Sequence, residues 1–160
     1  SSTPQAEPTA SPTPSLRAGL DPCLVGTWER VSSERTLTID GNPVQFTGGK
    51  GVVETYREDG TMTIVFRAQP PGVAVVKGVR WEEIVWGRAS ASWRVTPTGE
   101  ILFSNPKADG GWKLTRNGQV NNSGKLSLSV KPVQYVCTEE TYVAVSDFYS
   151  IQARRVTPAS

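Results

Sequence analysis

The chain of 160 residues contains no histidine. Ser-His-Asp and Cys-His mechanisms are therefore closed to it, as are the histidine-containing zinc sites of hydrolases. Cysteine occurs twice, at Cys23 and Cys137, too far apart for a C-x-x-C redox or metal pattern and too few for a structural zinc site. Charge is nearly balanced, with 17 basic and 15 acidic residues, so no strong field recruits nucleic acid or an anionic membrane. No apolar run approaches the ~18 residues of a spanning helix, and the start lacks the basic-then-apolar order of a signal peptide. This segment is expected not to insert directly into a membrane.

Large apolar residues are also nearly missing from Ser1 to Ser15, where much of the proline sits. Such a stretch cannot bury enough surface to offset its ordering entropy, and its mix of proline with small hydroxyl residues reads as an extended linker or stalk. The expected organisation is a linker over 1–20, one folded domain over 21–157 and a short tail over 158–160. A stalk of this kind implies an anchor or export segment upstream of Ser1, and hence a secreted or cell-surface location.

From Val25 onward, short β-rich runs alternate with Gly, Pro, Asn and Asp clusters. Asp40-Gly41, Asp59-Gly60 and Asn117-Gly118 carry turn chemistry. In the hairpin over 52–66, Met62, Ile64 and Phe66 share one face by the two-residue period. The run 79–86 is ambiguous: Val79, Trp81, Glu83 and Val85 form one face, Arg80, Glu82, Ile84 and Trp86 the other, so the strand is long and bent or its interior tolerates polar groups. Lys125 to Val130 alternates as a half-buried strand; Trp112-Lys113-Leu114 reads as a short strand, but the Gly and Asn around it make Ser104 to Gly124 the weakest region, compatible with a long mobile loop. No segment holds a helical period. The expected class is all-β, an antiparallel up-and-down β-barrel of about eight to ten strands with little helix.

Cys23 and Cys137 form either a disulfide or two buried thiols. An exported, stalked domain with an even cysteine count favours the disulfide, which would close a long loop and stabilise the fold by up to ~4–5 kcal/mol in the chain-entropy model.

Gly26-Thr27-Trp28 in the first strand, the succession of hairpins and Arg154-Arg155 in the last strand resemble the lipocalin-like (calycin) barrels. Asp21-Pro22-Cys23-Leu24-Val25-Gly26-Thr27-Trp28 and Tyr135-Val136-Cys137-Thr138-Glu139-Glu140-Thr141-Tyr142 are similar to the cysteine segments of bacterial exported lipocalin-like domains. The resemblance covers Asp21 to Val156. It implies that Trp28 plugs one end of the barrel, next to Gly26, while an arginine packs across the indole and donates to backbone carbonyls. Arg155, on the face of Tyr149, Ile151 and Ala153, takes that role rather than Arg154. The other signature segments of eukaryotic lipocalins are not recognisable, so their small-lipid ligands do not transfer.

The carboxylates Glu54, Glu82, Glu83, Asp109, Glu139, Glu140 and Asp147 read as solvated charges. Glu82 and Glu83 point to opposite faces and cannot form an acid/base pair. Gly48-Gly49-Lys50-Gly51 lacks the ending and the helix of a phosphate loop and reads as a turn. Asn121-Asn122-Ser123 is formally a glycosylation sequon, read as a turn. Most of the tryptophans, Trp28, Trp81, Trp86, Trp93 and Trp112, are expected in the core.

If the barrel is hollow, Met62, Ile64, Phe66, Trp81 and Trp93 would line it, with Glu83 or Arg80 as a polar contact. These expectations make the chain a non-enzymatic, monomeric binding module for a small apolar or amphiphilic ligand, without catalytic residues, metal or cofactor. The alternative is a solid barrel that contacts another envelope protein. A hollow or a filled interior separates the two.

Overall fold

A computed structural model describes residues 18–67 and 69–156. The expected linker therefore falls outside the described residues over 1–17, as does the tail over 158–160. Eleven strands follow one another: β1 (Gly26–Ile39), β2 (Asn42–Gly48), β3 (Val53–Tyr56), β4 (Thr61–Phe66), β5 (Gly72–Val76), β6 (Val79–Val95), β7 (Glu100–Arg116), β8 (Gln119–Lys125), β9 (Val133–Cys137), β10 (Thr141–Val145) and β11 (Tyr149–Arg155). Every pairing is antiparallel. No helix occurs among the described residues.

Eight of these strands close a ring in the order β1-β3-β4-β6-β7-β9-β10-β11, with β11 returning to β1. Within the ring each strand pairs with the next ring strand along the chain, which is an up-and-down path. The remaining strands, β2, β5 and β8, are hairpin partners of β1, β6 and β7. The turns between them, Asp40-Gly41, Lys77-Gly78 and Asn117-Gly118, have positive φ at both central residues, as two-residue hairpins that follow the twist of their strands require. Because β1, β6 and β7 are 14, 17 and 17 residues long, they run out of the ring and carry these hairpins with them.

Two cores result. The larger lies in the ring, where Trp28, Tyr56, Met62, Ile64, Trp93, Ile101, Tyr142 and Ile151 are buried among their neighbours. The smaller lies between the extensions, formed by Ile39, Phe46, Ala74, Trp81 and Leu114.

β6 keeps one parity inward along its whole length, from Trp81 through Ala89 and Ala91 to Trp93. β7 does not: Ile101 is buried at one end and Leu114 at the other. The switch occurs at a bulge, where Ser90 pairs with Lys107 but Ser92 pairs with Ser104. Asn105, at φ 51°, accommodates the extra residue. A little further on, Gly87 faces Gly110 across the ladder. Both have positive φ, and a Cβ on Gly87 would lie 2.6 Å from the Gly110 Cα, so only glycine allows the two backbones this approach.

Several expectations change, beginning with the count of eleven strands where about eight to ten were expected. The region over 104–124 is no long loop around a three-residue strand at Trp112–Leu114: it is the outer half of β7, the turn at Asn117-Gly118 and nearly all of β8. Its glycines serve close packing: a Cβ on Gly111 would sit 2.6 Å from Trp86 Cζ2, and one on Gly124 2.9 Å from Trp112. Conversely, Leu126 to Val130 is not a strand; 126–132 has no ladder partner and crosses between β8 and β9 as irregular chain. Its alternation reports which side chains face inward, not a sheet pairing. Asn121 lies exposed within β8 rather than in a turn.

Candidate functional site

At one end the ring is shut. Trp28 is fully buried, and its Nε1 donates to the Leu24 carbonyl at 2.9 Å. The Arg155 guanidinium lies 4.2 Å from the centre of the indole ring, where the aromatic quadrupole attracts a cation. All three of its nitrogens donate to backbone oxygens: Nε to Glu139 at 2.6 Å, Nη1 to Val25 at 2.8 Å and Nη2 to Cys23 at 2.6 Å. Gly26 makes room for this, since a Cβ there would stand 2.6 Å from Arg155 Nη1. Cys23 and Cys137 are joined in a disulfide, with Cα atoms 6.2 Å apart. Beside it the Tyr135 hydroxyl donates to Asp21 at 2.6 Å; burial first, then that hydrogen bond and the Asp21 charge, push the phenol above its ordinary pKa.

Away from this end the interior opens into a cavity of about 350 Å³. Its wall is mixed: Met62, Ile64, Phe66, Phe103, Val133 and Ile151 from the ring are apolar, while Ser33, Glu34, Thr36 and Ser146 are polar. The irregular segment adds Leu126 and Leu128. Lys131, Phe148 and Arg35 also border the cavity, and the Lys131 ammonium sits 4.3 Å from the Phe148 ring centre.

Polar groups also border the cavity. Arg30 donates through Nε to Glu54 Oε2 at 3.0 Å, and Tyr142 donates to the same oxygen at 2.6 Å. Glu54 is only 2% exposed, which makes it the one deeply buried acid among the described residues and not a solvated charge. Removing an ion pair from water is tolerated when the partners are close and further hydrogen bonds complete the shell. Burial works against the charge on Arg30, but Glu54 together with the neighbouring tyrosines outweighs it and leaves the guanidinium still harder to deprotonate. Tyr56 and Tyr142 are pushed well above the ordinary phenol range, chiefly by burial and then by the Glu54 charge.

A smaller chamber of about 80 Å³ opens where the two cores meet, between Phe46 of one and Val52 and Phe66 of the other. Arg30 belongs to the wall of both spaces. Gln69 and Glu83 also line the chamber. Glu83 pairs with Arg35 at 3.4 Å; burial raises its pKa above the ordinary carboxylate value, with Arg35 opposing.

No family model, curated protein or solved structure matches this chain. The geometry therefore stands alone.

It brings together only part of the set expected from the sequence. Met62, Ile64 and Phe66 line the main cavity, and Glu83 faces the side chamber. Trp81 is elsewhere, in the second core, because its part of β6 has left the ring. Trp93 is packed away from the space, edge-on to Tyr56 with its Nε1 donating to the Arg57 carbonyl. Arg80 pairs with Glu82 on the surface at 2.7 Å.

Arg30 is absent from the expected set, and Glu54 is in it only as a solvated charge. The signal for both is parity: Arg30 stands two residues after Trp28, and Glu54 lies between Val52 and Tyr56, each on the inward face of its strand. No group of three or more potential ligand side chains among the described residues could hold a metal ion.

Proposed function

We propose that this is an extracytoplasmic, lipocalin-like β-barrel that binds a small apolar or amphiphilic molecule and catalyses no reaction. The observation that carries the reading is the cavity of about 350 Å³, which lies in the range of small-molecule sites and joins an apolar surface from the ring strands to numerous polar groups, a mixture suited to an amphiphile. An eight-strand barrel has room for one small ligand. The shut end, with Trp28 under Arg155, supports the lipocalin-like assignment, and the up-and-down ring agrees with it. The Cys23–Cys137 disulfide supports an oxidising compartment, and with it secretion or display at a cell surface.

The solid-barrel alternative requires a filled interior, so the cavity weighs against it. A hydrolytic role would require two carboxylates facing a common space with room for substrate, whereas Glu54 is already engaged by Arg30 and Tyr142.

Native mass spectrometry of the oxidised domain, incubated with an extract of amphiphiles and with defined single-chain lipids, tests the proposal. A retained ligand, lost on substitution of Ile64→Trp to fill the cavity, is the expected result. No ligand held more tightly than ~1 mM overturns it.

A further inference from the structure

The near balance of charge over the whole chain hides a local imbalance on the outside of the sheet. In β6 the buried residues Trp81, Ala89, Ala91 and Trp93 share one parity, so Trp86 and Arg88 belong to the outer face. Cross-strand partners share a face, which puts Lys107, Asp109, Gly111 and Lys113 of β7 beside them and Lys125 of β8 beyond. Four cations thus meet one acid. The ion pairs among the described residues, Arg30 with Glu54, Arg35 with Glu83 and Arg80 with Glu82, engage none of the four. Even Arg88, which stands opposite Asp109 in the ladder, forms no ion pair with it.

Among these charges lies Trp86, the one exposed tryptophan of the described residues, at 47%. By strand spacing the four cations attach within roughly 7–15 Å of it. Its indole lies across Gly111, where a Cβ would stand 2.6 Å from Cζ2 and 3.1 Å from Cε2. The glycine lets the ring rest on the sheet rather than project from it.

A resting indole ringed by unpaired cations suits one class of partner best. The C–H groups on one side of a pyranose ring carry partial positive charge and are drawn to the negative face of an aromatic quadrupole. Acid groups on the same polymer are drawn to the cations. A bilayer instead calls for several apolar side chains that reach into the headgroup boundary, and a single-stranded nucleic acid for successive stacking side chains along its track. This face supplies one aromatic ring.

We propose that the outer face of β6, β7 and β8 around Trp86 is a docking site for an acidic polysaccharide, with a sugar ring stacked on the indole and its carboxylates or sulfates held by Arg88, Lys107, Lys113 and Lys125. The site lies outside the ring and does not depend on a ligand in the cavity.

Oligogalacturonate and dextran sulfate carry carboxylates and sulfates on pyranose rings; methyl-esterified oligogalacturonate and dextran are the neutral counterparts. Titrations of the oxidised domain, followed by calorimetry and by the indole N–H signals, should show an acidic glycan binding roughly tenfold more tightly than its counterpart and shifting the Trp86 signal, with affinity falling as salt is raised. Trp86→Ala should weaken that binding roughly fivefold with the urea midpoint unchanged. Lys113→Gln with Lys125→Gln should lower both the affinity and its salt dependence, whereas the same charge change at Lys50 and Lys77, in turns off this face, should not. Equal binding of acidic and neutral glycans, affinity that ignores Trp86→Ala, or no binding of either acidic glycan overturns the site. Tighter binding to phosphatidylglycerol vesicles or to a ten-residue oligothymidylate, at equal charge concentration, also overturns it and assigns the face to a membrane or a nucleic acid. None of these outcomes bears on the cavity.

Discussion

Two arginines of the same ring, Arg155 over Trp28 and Arg30 two residues further along the Trp28 strand, are used in opposite ways. Arg155 is saturated: each guanidinium nitrogen meets a carbonyl and its face covers Trp28. Arg30 is half engaged, held through Nε by Glu54 while its Nη atoms have no described partner. A saturated arginine stores no capacity for a ligand; it ties its own strand to the Cys23–Val25 segment and to Glu139, and so helps to close the ring. An arginine held by one nitrogen is oriented without being consumed. The contrast separates structure from function more sharply than burial does, since both side chains are largely removed from water.

The strongest way to break this contrast is to delete one half of the buried pair. Glu54→Leu leaves the Arg30 charge uncompensated inside the ring and should cost about 3–5 kcal/mol, whereas Arg30→Met with Glu54→Leu should recover most of the loss; urea unfolding of the single and double variants measures both. A comparable loss, about 3–5 kcal/mol, is expected for Trp28→Ala at the shut end, where no solvent is present to fill the void. Phe66→Ala, on the wall of an open cavity, should cost less than half of that in the same assay.

Removing the disulfide with Cys23→Ser and Cys137→Ser should lower stability by about 2–4 kcal/mol and leave ligand affinity nearly unchanged, because the bond lies at the shut end. The smallest effect concerns pH. Glu83 has a folded pKa above its ordinary value of 4.5, so the folded protein holds its proton more tightly than the unfolded chain. Stability from this group is therefore greatest below about pH 4.5 and is lost as pH rises through the raised folded value. Glu83→Gln should flatten that slope relative to the parent, as seen by denaturation at a series of pH values.

Much of the ring could be read in the sequence because hairpin chemistry and two-residue alternation are local. Val53–Tyr56 and Thr61–Phe66 pair as a hairpin because both signals agree there. The second core was not legible, since nothing local tells where a 17-residue strand leaves one set of neighbours and joins another. Trp81 and Trp93 share a parity, yet they serve different cores for this reason. Glycine misled in the opposite sense: Gly110, Gly111 and Gly124 looked like loop residues, although they permit close strand and tryptophan packing. Leu126 and Leu128 alternate like a strand because one side of the segment is buried against the cavity, and burial on one side is all that alternation records. The side chamber is walled by residues from distant parts of the sequence, Arg30, Phe46, Gln69 and Glu83 among them, and no local pattern links them.

The bulge at Asn105 has a further consequence. Before it, β7 addresses the ring core with its odd residues; after it, the second core with its even ones. The strand behaves like a message whose reading frame changes once, midway. Deleting a single residue between Ser104 and Lys107 would restore a regular ladder and turn Trp112 and Leu114 out to solvent, while deleting two would shorten the strand and keep its phase. In this protein the inserted residue is punctuation, and it lets one continuous strand specify two interiors.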